Sequence, residues 1–298
     1  MAKNARTYLK RIANVGFLRF IFGLVKYFMD SKWSPDLGIR KIIFDRSIFV
    51  QQYAKLLSSR FPDSKKLEIG PYMSPLLEAE TSDYFDVLST EELVLRSKNE
   101  NGPYEQVVPV NFVGPEASAN YIPKRYPLIV SSHVLEHQTD LIRHLNNIFE
   151  LLLPGGLYIA LIPDLRFCFD HFNQPSTISQ IFRAYFLEEK NHTLENYFID
   201  RLETGHNETI QHWRNEHGIQ KYISLNNKME VVDYFETYIS MITDGYVDVH
   251  AWKFTPQSFK RIVSTLEKLG FISLHLSELR ATLPGNNEFW AIFQRETF

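Results

Sequence analysis

The chain has 298 residues, of which 44% are hydrophobic and 14% aromatic, so it can bury a large core. Its formal net charge of −3 argues against a general nucleic-acid-binding protein. The single cysteine, Cys168, excludes an intramolecular disulfide and a cysteine zinc cluster, and it fits a reducing compartment such as the cytoplasm.

The N-terminal stretch TYLKRIANVGFLRFIFGLVKYFMDSKW mixes apolar and basic residues. Its apolar run, Val15 to Phe28, is too short to span a bilayer, and Arg19 and Lys26 make it too charged. No small-residue cleavage site follows it, so it is a poor signal peptide. We predict an N-terminal helical segment over residues 1–60. Either its helix packs on the domain, or it lies as a basic amphipathic helix on a membrane surface or a partner.

From residue 65 onward, apolar runs typical of strands alternate with helical patterns. The predicted strands, in chain order, are KKLEIG, SDYFDVLS, QVVPVNFV, YPLIVSS and LYIALIP. The helical pattern TEELVLRSK follows the second strand, and LIRHLNNIFELL separates the fourth strand from the fifth. Such alternation, with continuous apolar strands, indicates a parallel α/β sheet that is covered on both faces.

The alternation stops after the fifth strand, where residues 165–250 are rich in aromatic residues and histidines and show no strand pattern. A helix then begins, with Thr255 as its predicted N-cap, Pro256 in its first turn and Gly270 at its end. The strands ISLHLSEL and NEFWAIFQR follow it. We predict an α/β domain over 61–164 and 251–298, with a helical cap over 165–250. An insertion after a parallel strand lies where ligands bind in open α/β sheets.

The turn after the first predicted strand, LEIGPYMSP, has one glycine, Gly70, and an acidic residue, Glu68, inside the strand. Asp86 lies eighteen residues after Glu68, which is close to the spacing at which α/β nucleotide sites hold ribose hydroxyls. Tyr72 and Ser74 stand where a pyrophosphate loop needs glycines. The turn is therefore either a site for a cofactor without phosphates, such as S-adenosylmethionine (SAM), or a plain strand-to-helix turn.

Several segments together resemble the class I SAM-dependent methyltransferases. LEIGPYMSP is similar to their first motif, SDYFDVLSTEEL to their second, and YPLIVSS through PGGLYIALIPD to their fourth and fifth strands. The closing helix and strand pair resemble their last helix and their antiparallel sixth and seventh strands. The resemblance implies a Rossmann-like seven-stranded sheet with SAM as cofactor and S-adenosylhomocysteine as product. The residues that it places at the cofactor are Glu68, Gly70, Pro71, Tyr72, Asp86, Asn111 and Ser132. The sequence departs from the family in keeping one loop glycine and in having an amide, Asn111, where many members have an acid.

The segment SSHVLEH, residues 131–137, formally matches the H-x-x-E-H signature of a zinc peptidase, but it follows a strand instead of lying within a helix. Methyltransferases similar to those of ubiquinone biosynthesis carry acids and histidines in this turn. That resemblance implies His133, Glu136 and His137 as ligands of a divalent metal, a possibility that we keep open and do not predict. Two further interpretations stay open: Glu136 and His137 cap the next helix, or His133 or His137 is a general base.

The segment IPDLRFCFDHF follows the fifth strand and supplies two further candidates for the base, Asp164 and His171. A competing interpretation of this segment is an Arg166–Asp170 ion pair on a helix. His250 returns the chain to the sheet, and alone it is typical of a buried structural histidine.

The extended pattern, from SHVLEH and PGG through IPDLRFCFDHF to HAW, resembles bacterial methyltransferases associated with cell-surface polysaccharide assembly. This resemblance implies O-methylation of a sugar hydroxyl on a glycan precursor, with the proton taken by His133, His137, Asp164 or His171. It also implies a cytoplasmic protein that contacts the inner face of the membrane through the basic N-terminal helix. The rival interpretations are a methyltransferase for a phenol or quinone precursor and a non-catalytic SAM-fold binding module.

Overall fold

The computed structural model describes residues 30–34, 39–43, 46–244 and 247–297. The predicted amphipathic helix lies outside the described residues. Strands β1 (Asp30–Ser34) and β2 (Ile39–Ile43) pair antiparallel where the sequence predicts helix. The three isoleucines of IRKII explain the difference, because β-branched residues favour strands. Helix α1 (Arg46–Arg60) then follows, as predicted for the end of this segment.

A seven-stranded mixed sheet forms the centre of the molecule. Its strands are β3 (Lys66–Ile69), β4 (Ser82–Asp86), β5 (Phe112–Val113), β6 (Tyr126–Ser132), β7 (Leu152–Pro163), β8 (His275–Arg280) and β9 (Glu288–Gln294). Their order across the sheet is β5-β4-β3-β6-β7-β9-β8. The first five strands are parallel, and β9 runs antiparallel to both of its neighbours. This is the predicted Rossmann-like α/β sheet with an antiparallel final strand.

The strand register determines which residues meet at the carboxyl edge of the sheet. Ile69 at the end of β3 pairs with Phe85 of β4 on one side and with Ser131 of β6 on the other. The residues that follow in the chain, Gly70, Asp86 and Ser132, therefore lie next to one another at this edge. Here the strand order reverses around β3, and open α/β sheets bind their ligands at such a point.

Helices cover both faces of this sheet. Besides α1, the described residues form the helices α2 (Thr90–Asn99), α3 (Leu141–Leu151), α4 (Ile178–Phe186), α5 (Leu194–Phe198), α6 (Thr209–Trp213), α7 (Lys228–Asp244) and α8 (Pro256–Leu269). Alternate residues of β6 point to opposite faces. Ile129 packs in the core that contains α3 and α8, whereas Leu128 and Val130 pack in the core that contains α1. Both faces of the sheet are therefore buried, as the apolar strands predict.

Helix caps decide where α3 and α8 begin. Thr255 caps α8 by accepting a hydrogen bond from Ser258 N, and Gly270 ends that helix in the left-handed conformation with φ 75°, so both predicted caps are confirmed. Asp140 caps α3 by accepting from Arg143 N. Capping of α3 by Glu136 and His137 is therefore wrong, because both residues lie in a separate 3₁₀ turn, Leu135–His137, and Asp140 caps the helix instead.

The insertion after β7 is helical, as predicted. It contains α4 to α7, short 3₁₀ helices and one π-helix (Ile199–Glu203). Within the described part of the chain, no helix has both the length and the apolar character needed to cross a membrane.

Candidate functional site

A cavity of about 520 Å³ opens at the carboxyl ends of β3, β4 and β6. The loops after these three strands form one side of it, and the insertion contributes Phe169, Asp200 and residues 248–250. Its volume lies in the range of small-molecule and cofactor sites. The insertion thus forms one wall of the cavity, as a cap would.

The loop after β3 takes its shape from Glu68 and Gly70. The Glu68 carboxylate is buried and accepts hydrogen bonds from the backbone N–H groups of Leu76 and Leu77 at 2.8–3.0 Å. Burial raises the pKa of Glu68 to about 7, although these two hydrogen bonds act in the opposite direction. Gly70 has φ 67°, and a Cβ there would lie 2.6 Å from Cγ2 of Val134. Glu68 and Gly70 therefore fold the loop that borders the cavity.

Tyr72 occupies the position of a second loop glycine and adopts the left-handed backbone conformation, with φ 42°. A bulky residue rarely takes this conformation, and such strain is concentrated at functional sites. The Tyr72 hydroxyl donates to Glu100 Oε2 at 3.3 Å, which turns the ring toward α2. Pro71 and Tyr72 both line the cavity. The loop thus keeps a glycine-like backbone without the glycine.

Asp86 lies at the end of β4 and lines the cavity, 9% exposed. Burial raises its pKa, although the backbone N–H groups of Leu88 and Val87 lower it. Asn111 lies elsewhere. Its side-chain oxygen accepts a hydrogen bond from Tyr84 N at 2.7 Å, and it is outside the cavity lining. Asn111 therefore joins β4 to the chain before β5 and does not reach the cavity.

The turn after β6 brings Ser132 and His133 to the cavity. His133 has φ 53°, a strained conformation for a histidine. Its Nε2 lies 3.0 Å from Oε2 of Glu288, which also pairs with Arg46 at 3.2 Å. Burial lowers the pKa of His133, but the hydrogen bond to Glu288 and the charge of Glu136 raise it by more.

Glu136 is the most unusual group of the site. It is fully buried, and neither carboxylate oxygen has a hydrogen-bond partner among the residues that the structure describes. Three imidazoles surround Oε1: His133 Nδ1 at 3.6 Å, His250 Nε2 at 3.8 Å and His137 Nε2 at 3.9 Å. A buried carboxylate without hydrogen bonds is costly unless positive charge lies next to it. Glu136 therefore favours the protonated forms of His133 and His137.

His137 connects this carboxylate to the insertion. Its Nδ1 lies 2.9 Å from Oδ1 of Asp248, and Oδ2 of Asp248 accepts from Arg96 at 2.6 Å. Burial lowers the pKa of His137, but Asp248 and Glu136 together raise it above its usual value. Although burial raises the pKa of Asp248, His137 and Arg96 bring it well below its usual range.

His250 is buried, as the sequence predicts, but it is also part of the site. Its Nδ1 lies 2.5 Å from Oδ2 of Asp170. The backbone N–H groups of Ala251 and Trp252 donate to the carbonyl of Glu136, which fixes His250 against the turn. Glu136, His137 and His250 place one potential metal-ligand atom each within 4.8 Å of one another. The Glu136 oxygens, which lack hydrogen bonds from the described residues, fit a divalent cation. This trio could therefore hold one, with His250 in place of the expected His133.

Asp164 and His171 lie outside the cavity lining. Arg166 binds both oxygens of Asp164, at 2.9 and 2.5 Å, and Thr282 donates to the same buried carboxylate. The expected ion pair between Arg166 and Asp170 is wrong, since Arg166 pairs with Asp164 and Asp170 pairs with His250. His171 packs against other histidines of the insertion. Neither Asp164 nor His171 is placed to act in this cavity.

Four charged residues of the site have no motif that marks them in the sequence. Arg46, Arg96 and Asp248 line the cavity, and Glu288 pairs with His133 at its edge. They come from α1, α2, the end of the insertion and β9, so only the folded topology brings them together. Asp248 stands in VDVHAW, two residues before the candidate histidine of that segment, and that proximity is the one signal that could have pointed to it.

No protein-family model matches the chain, and no curated protein matches it. Among solved structures, it is similar to a SAM-dependent methyltransferase from Clostridium acetobutylicum, with 8% identity, a TM-score of 0.41 and coverage of 96% of this chain and 100% of that one. It is also similar to the CcbJ methyltransferase from Streptomyces caelestis, with 15% identity, a TM-score of 0.39 and coverage of 89% and 94%. It is similar as well to the CurJ carbon methyltransferase, with 13% identity and a TM-score of 0.37. That match covers 85% of this chain and 54% of the other, so the chain spans about half of that protein's length. Identities and TM-scores this low show nothing about the activity of this chain. The strand order itself is that of a Rossmann-like α/β sheet.

Proposed function

We propose that the chain is a SAM-dependent methyltransferase that transfers a methyl group to a hydroxyl. The observation that carries the proposal is one cavity at the carboxyl edge of the sheet. It is lined both by the β3 loop and Asp86 and by the histidines around Glu136. A cofactor half and an acid–base half thus share one space, which a methyl transfer to a protic acceptor requires.

The cofactor half fits SAM in its chemistry. Asp86 offers a carboxylate to a ribose diol, and the left-handed backbone at Gly70 and Tyr72 leaves room beside the strand end. Arg46 at the start of α1 supplies a positive charge suited to a carboxylate. When bound, SAM supplies a methyl group on a sulfonium that is already activated. The chain has then to hold the acceptor in line and remove its proton.

We assign the proton acceptor to His137. Asp248 holds Nδ1 of this imidazole at 2.9 Å, which leaves Nε2 to take a proton from the acceptor hydroxyl. Glu136, whose Oε1 lies 3.9 Å from that Nε2, stabilises the imidazolium that forms. If a divalent cation is bound instead, Glu136, His137 and His250 would hold it, and it would polarise the acceptor oxygen.

A sugar hydroxyl on a glycan precursor is the acceptor that we favour. The cavity lining includes His133, His137, Asp200 and Asp248, which can hydrogen-bond several hydroxyls at once. The hydroxyl group of a sugar is also less acidic than that of a phenol, so its deprotonation depends more on a base. The rival acceptor, a phenol or quinone precursor, would stack on Phe169. Methyl-transfer assays that compare nucleotide sugars and glycans with catechols separate the two.

The first test is SAM and S-adenosylhomocysteine binding by calorimetry. We expect micromolar binding by the unchanged protein and a loss of at least about 30-fold in Asp86→Ala, because a carboxylate that accepts two hydrogen bonds is removed. Asp63→Ala removes the same charge from an exposed turn and should bind like the unchanged protein. A folded protein that does not bind SAM at millimolar concentration would overturn the proposal and favour a non-catalytic module.

A further inference from the structure

The geometry points to a transition-metal site in the insertion, formed by the imidazoles of His171, His212 and His217. We call these three residues the histidine cluster. They place one ligand atom each within 4.8 Å of one another. His212 is buried, and the other two are half-buried. The cluster is separate from the cavity lining, so it does not depend on the proposed methyl transfer.

The hydrogen bonds of the cluster fix the tautomers of His171 and His212. Nδ1 of His171 lies 2.9 Å from the carbonyl oxygen of Arg166, and Nε2 of His212 lies 3.1 Å from the carbonyl oxygen of His206. A carbonyl oxygen can only accept, so these ring nitrogens carry the protons. The lone pairs of the neutral rings are therefore on His171 Nε2 and on His212 Nδ1.

His217 completes the pattern, because its Nε2 lies 2.9 Å from Oδ1 of Asn215. This hydrogen bond leaves the lone pair of the third ring on Nδ1. In metal sites the ligating histidine almost always donates its second ring N–H to a carbonyl or carboxylate oxygen, and all three rings of the cluster do so. The outer hydrogen bonds of a three-histidine site are thus already made.

The short contact between His212 and His217 adds to this pattern. Their Nδ1 atoms lie 3.1 Å apart, although both carry a lone pair when the outer nitrogens hold the protons. Two lone pairs at hydrogen-bond distance repel unless a cation lies beside both of them. Rotation of the Asn215 amide would remove the repulsion without a metal, since His217 Nδ1 could then donate to His212. Metal titration separates these two arrangements.

His206 lies next to the cluster but is not a ligand. Its Nε2 donates to the carbonyl of Glu216 at 3.0 Å, and its Nδ1 accepts from Glu208 N at 3.1 Å, so both nitrogens are engaged. Its ring stacks on His212 with the centroids 4.4 Å apart. His206 therefore holds the ring of His212 and leaves the three nitrogens of the cluster as the ligands.

One adjustment accompanies binding. The rings of His171 and His217 are stacked, with centroids 3.6 Å apart and planes at 9°. A ligand lone pair lies in the plane of its ring, so these two planes have to tilt toward each other around the metal. Both side chains are half-buried and His217 is in a loop, which leaves room for the tilt.

The proposed role is to fasten two parts of the insertion to each other, the segment directly after β7 and the chain around α6. His171 belongs to the 3₁₀ helix Phe169–Phe172, whereas His212 and His217 belong to α6 and the loop after it. The same two parts of the chain also meet where Phe167 stacks on Trp213 at 3.9 Å. Imidazole ligands suit Zn²⁺, Cu²⁺ and Ni²⁺, and we take Zn²⁺ as the expected ion because it needs no redox partner. The bound metal would hold Phe169 in the cavity wall.

The test is titration of tag-free, chelator-treated protein with Zn²⁺, and with Co²⁺ to read tetrahedral coordination from its visible absorption. We expect one equivalent whose binding depends on the histidine cluster, with a Kd of about 1 μM or tighter, and a rise in Tm of about 5 °C at a hundredfold excess over Kd. His171→Gln and His217→Gln should each weaken binding by about 100-fold, and Asn215→Gly, which tolerates the φ of 64° at this position, by about 10-fold. Circular dichroism without metal should show that all three variants fold.

Two control variants make the result specific. His275→Gln removes an exposed histidine from β8, and His137→Gln removes a ligand from the trio around Glu136; neither should change the Zn²⁺ affinity. The proposal is overturned if no saturable equivalent binds. It is equally overturned if His137→Gln abolishes binding while His217→Gln does not, since the metal would then belong to the cavity. Hydrogen exchange should show metal-dependent protection at residues 204–218.

Discussion

Nδ1 of His137 lies 2.9 Å from Oδ1 of Asp248, so a residue at the end of the insertion holds the imidazole that follows β6. The two residues are far apart in the sequence, and Arg96 fixes the other oxygen of the same carboxylate. The orientation of the proposed base therefore depends on the insertion returning correctly to the sheet. This dependence couples the cap to the chemistry.

We expect Asp248→Asn to lower the pKa of His137, because a nearby opposite charge that favours the imidazolium is removed. Histidine side-chain NMR as a function of pH measures this shift directly. The rising limb of the pH–rate profile should move to lower pH by the same amount. Glu100→Gln is the matched control, since it removes the other carboxylate partner of Arg96 and leaves His137 paired. An unchanged His137 titration in Asp248→Asn would contradict the assignment.

Glu136→Gln tests the buried carboxylate at the centre of the site. The neutral amide keeps the shape of the side chain but removes the charge that raises the pKa of both His133 and His137. We expect kcat to fall by about 100-fold with the SAM Kd within a factor of about three, because a group that stabilises the imidazolium contributes to the transition state and not to cofactor binding. Loss of SAM binding together with kcat would instead indicate a role in the structure of the turn.

Much of the fold could be predicted from the sequence because the apolar periodicity of the strands and the caps of α8 are local signals. The turn LEIGPYMSP and Asp86 could be placed at one edge because parallel strands end at the same side of a sheet. Asp164 and His171 were expected there for the same reason. They lie elsewhere because the direction of a side chain after a strand depends on its partners. Arg166 and Thr282, for example, both donate hydrogen bonds to the Asp164 carboxylate. No pattern in a single sequence reports such partners.

Gly70→Ala should destabilise the protein more than Gly270→Ala, although both glycines have a left-handed backbone. At Gly270 the added Cβ meets no described atom within 4 Å, so only the backbone penalty of about 1 kcal/mol applies. At Gly70 the Cβ would also lie 2.6 Å from Val134 Cγ2, and we expect a loss of about 3 kcal/mol in the free energy of unfolding. Val134→Ala added to Gly70→Ala should restore part of this loss in urea denaturation. Equal effects of the two glycine substitutions would contradict the close contact.

Glu68→Gln should change how stability depends on pH. Burial raises the pKa of Glu68 to about 7 from an ordinary value near 4.5, so between these pH values the folded state holds a proton that the unfolded state has released. The free energy of unfolding therefore falls as the pH rises through this window. The contribution of Glu68 is about 2 kcal/mol larger at pH 5 than at pH 8. The amide introduced by Glu68→Gln does not titrate, and its oxygen can still accept from Leu76 or Leu77, so this part of the slope should disappear.

Urea unfolding at pH 5 and at pH 8 measures the effect, with Glu80→Gln as the control at an exposed position of the same loop region. The difference between the two pH values should shrink by about 2 kcal/mol in Glu68→Gln and stay unchanged in Glu80→Gln. If both variants keep the full pH dependence, Glu68 is ionised in the folded protein over this range. The two backbone N–H groups that it accepts from would then stabilise the carboxylate more than burial penalises it, and the cofactor loop would carry a fixed negative charge at neutral pH.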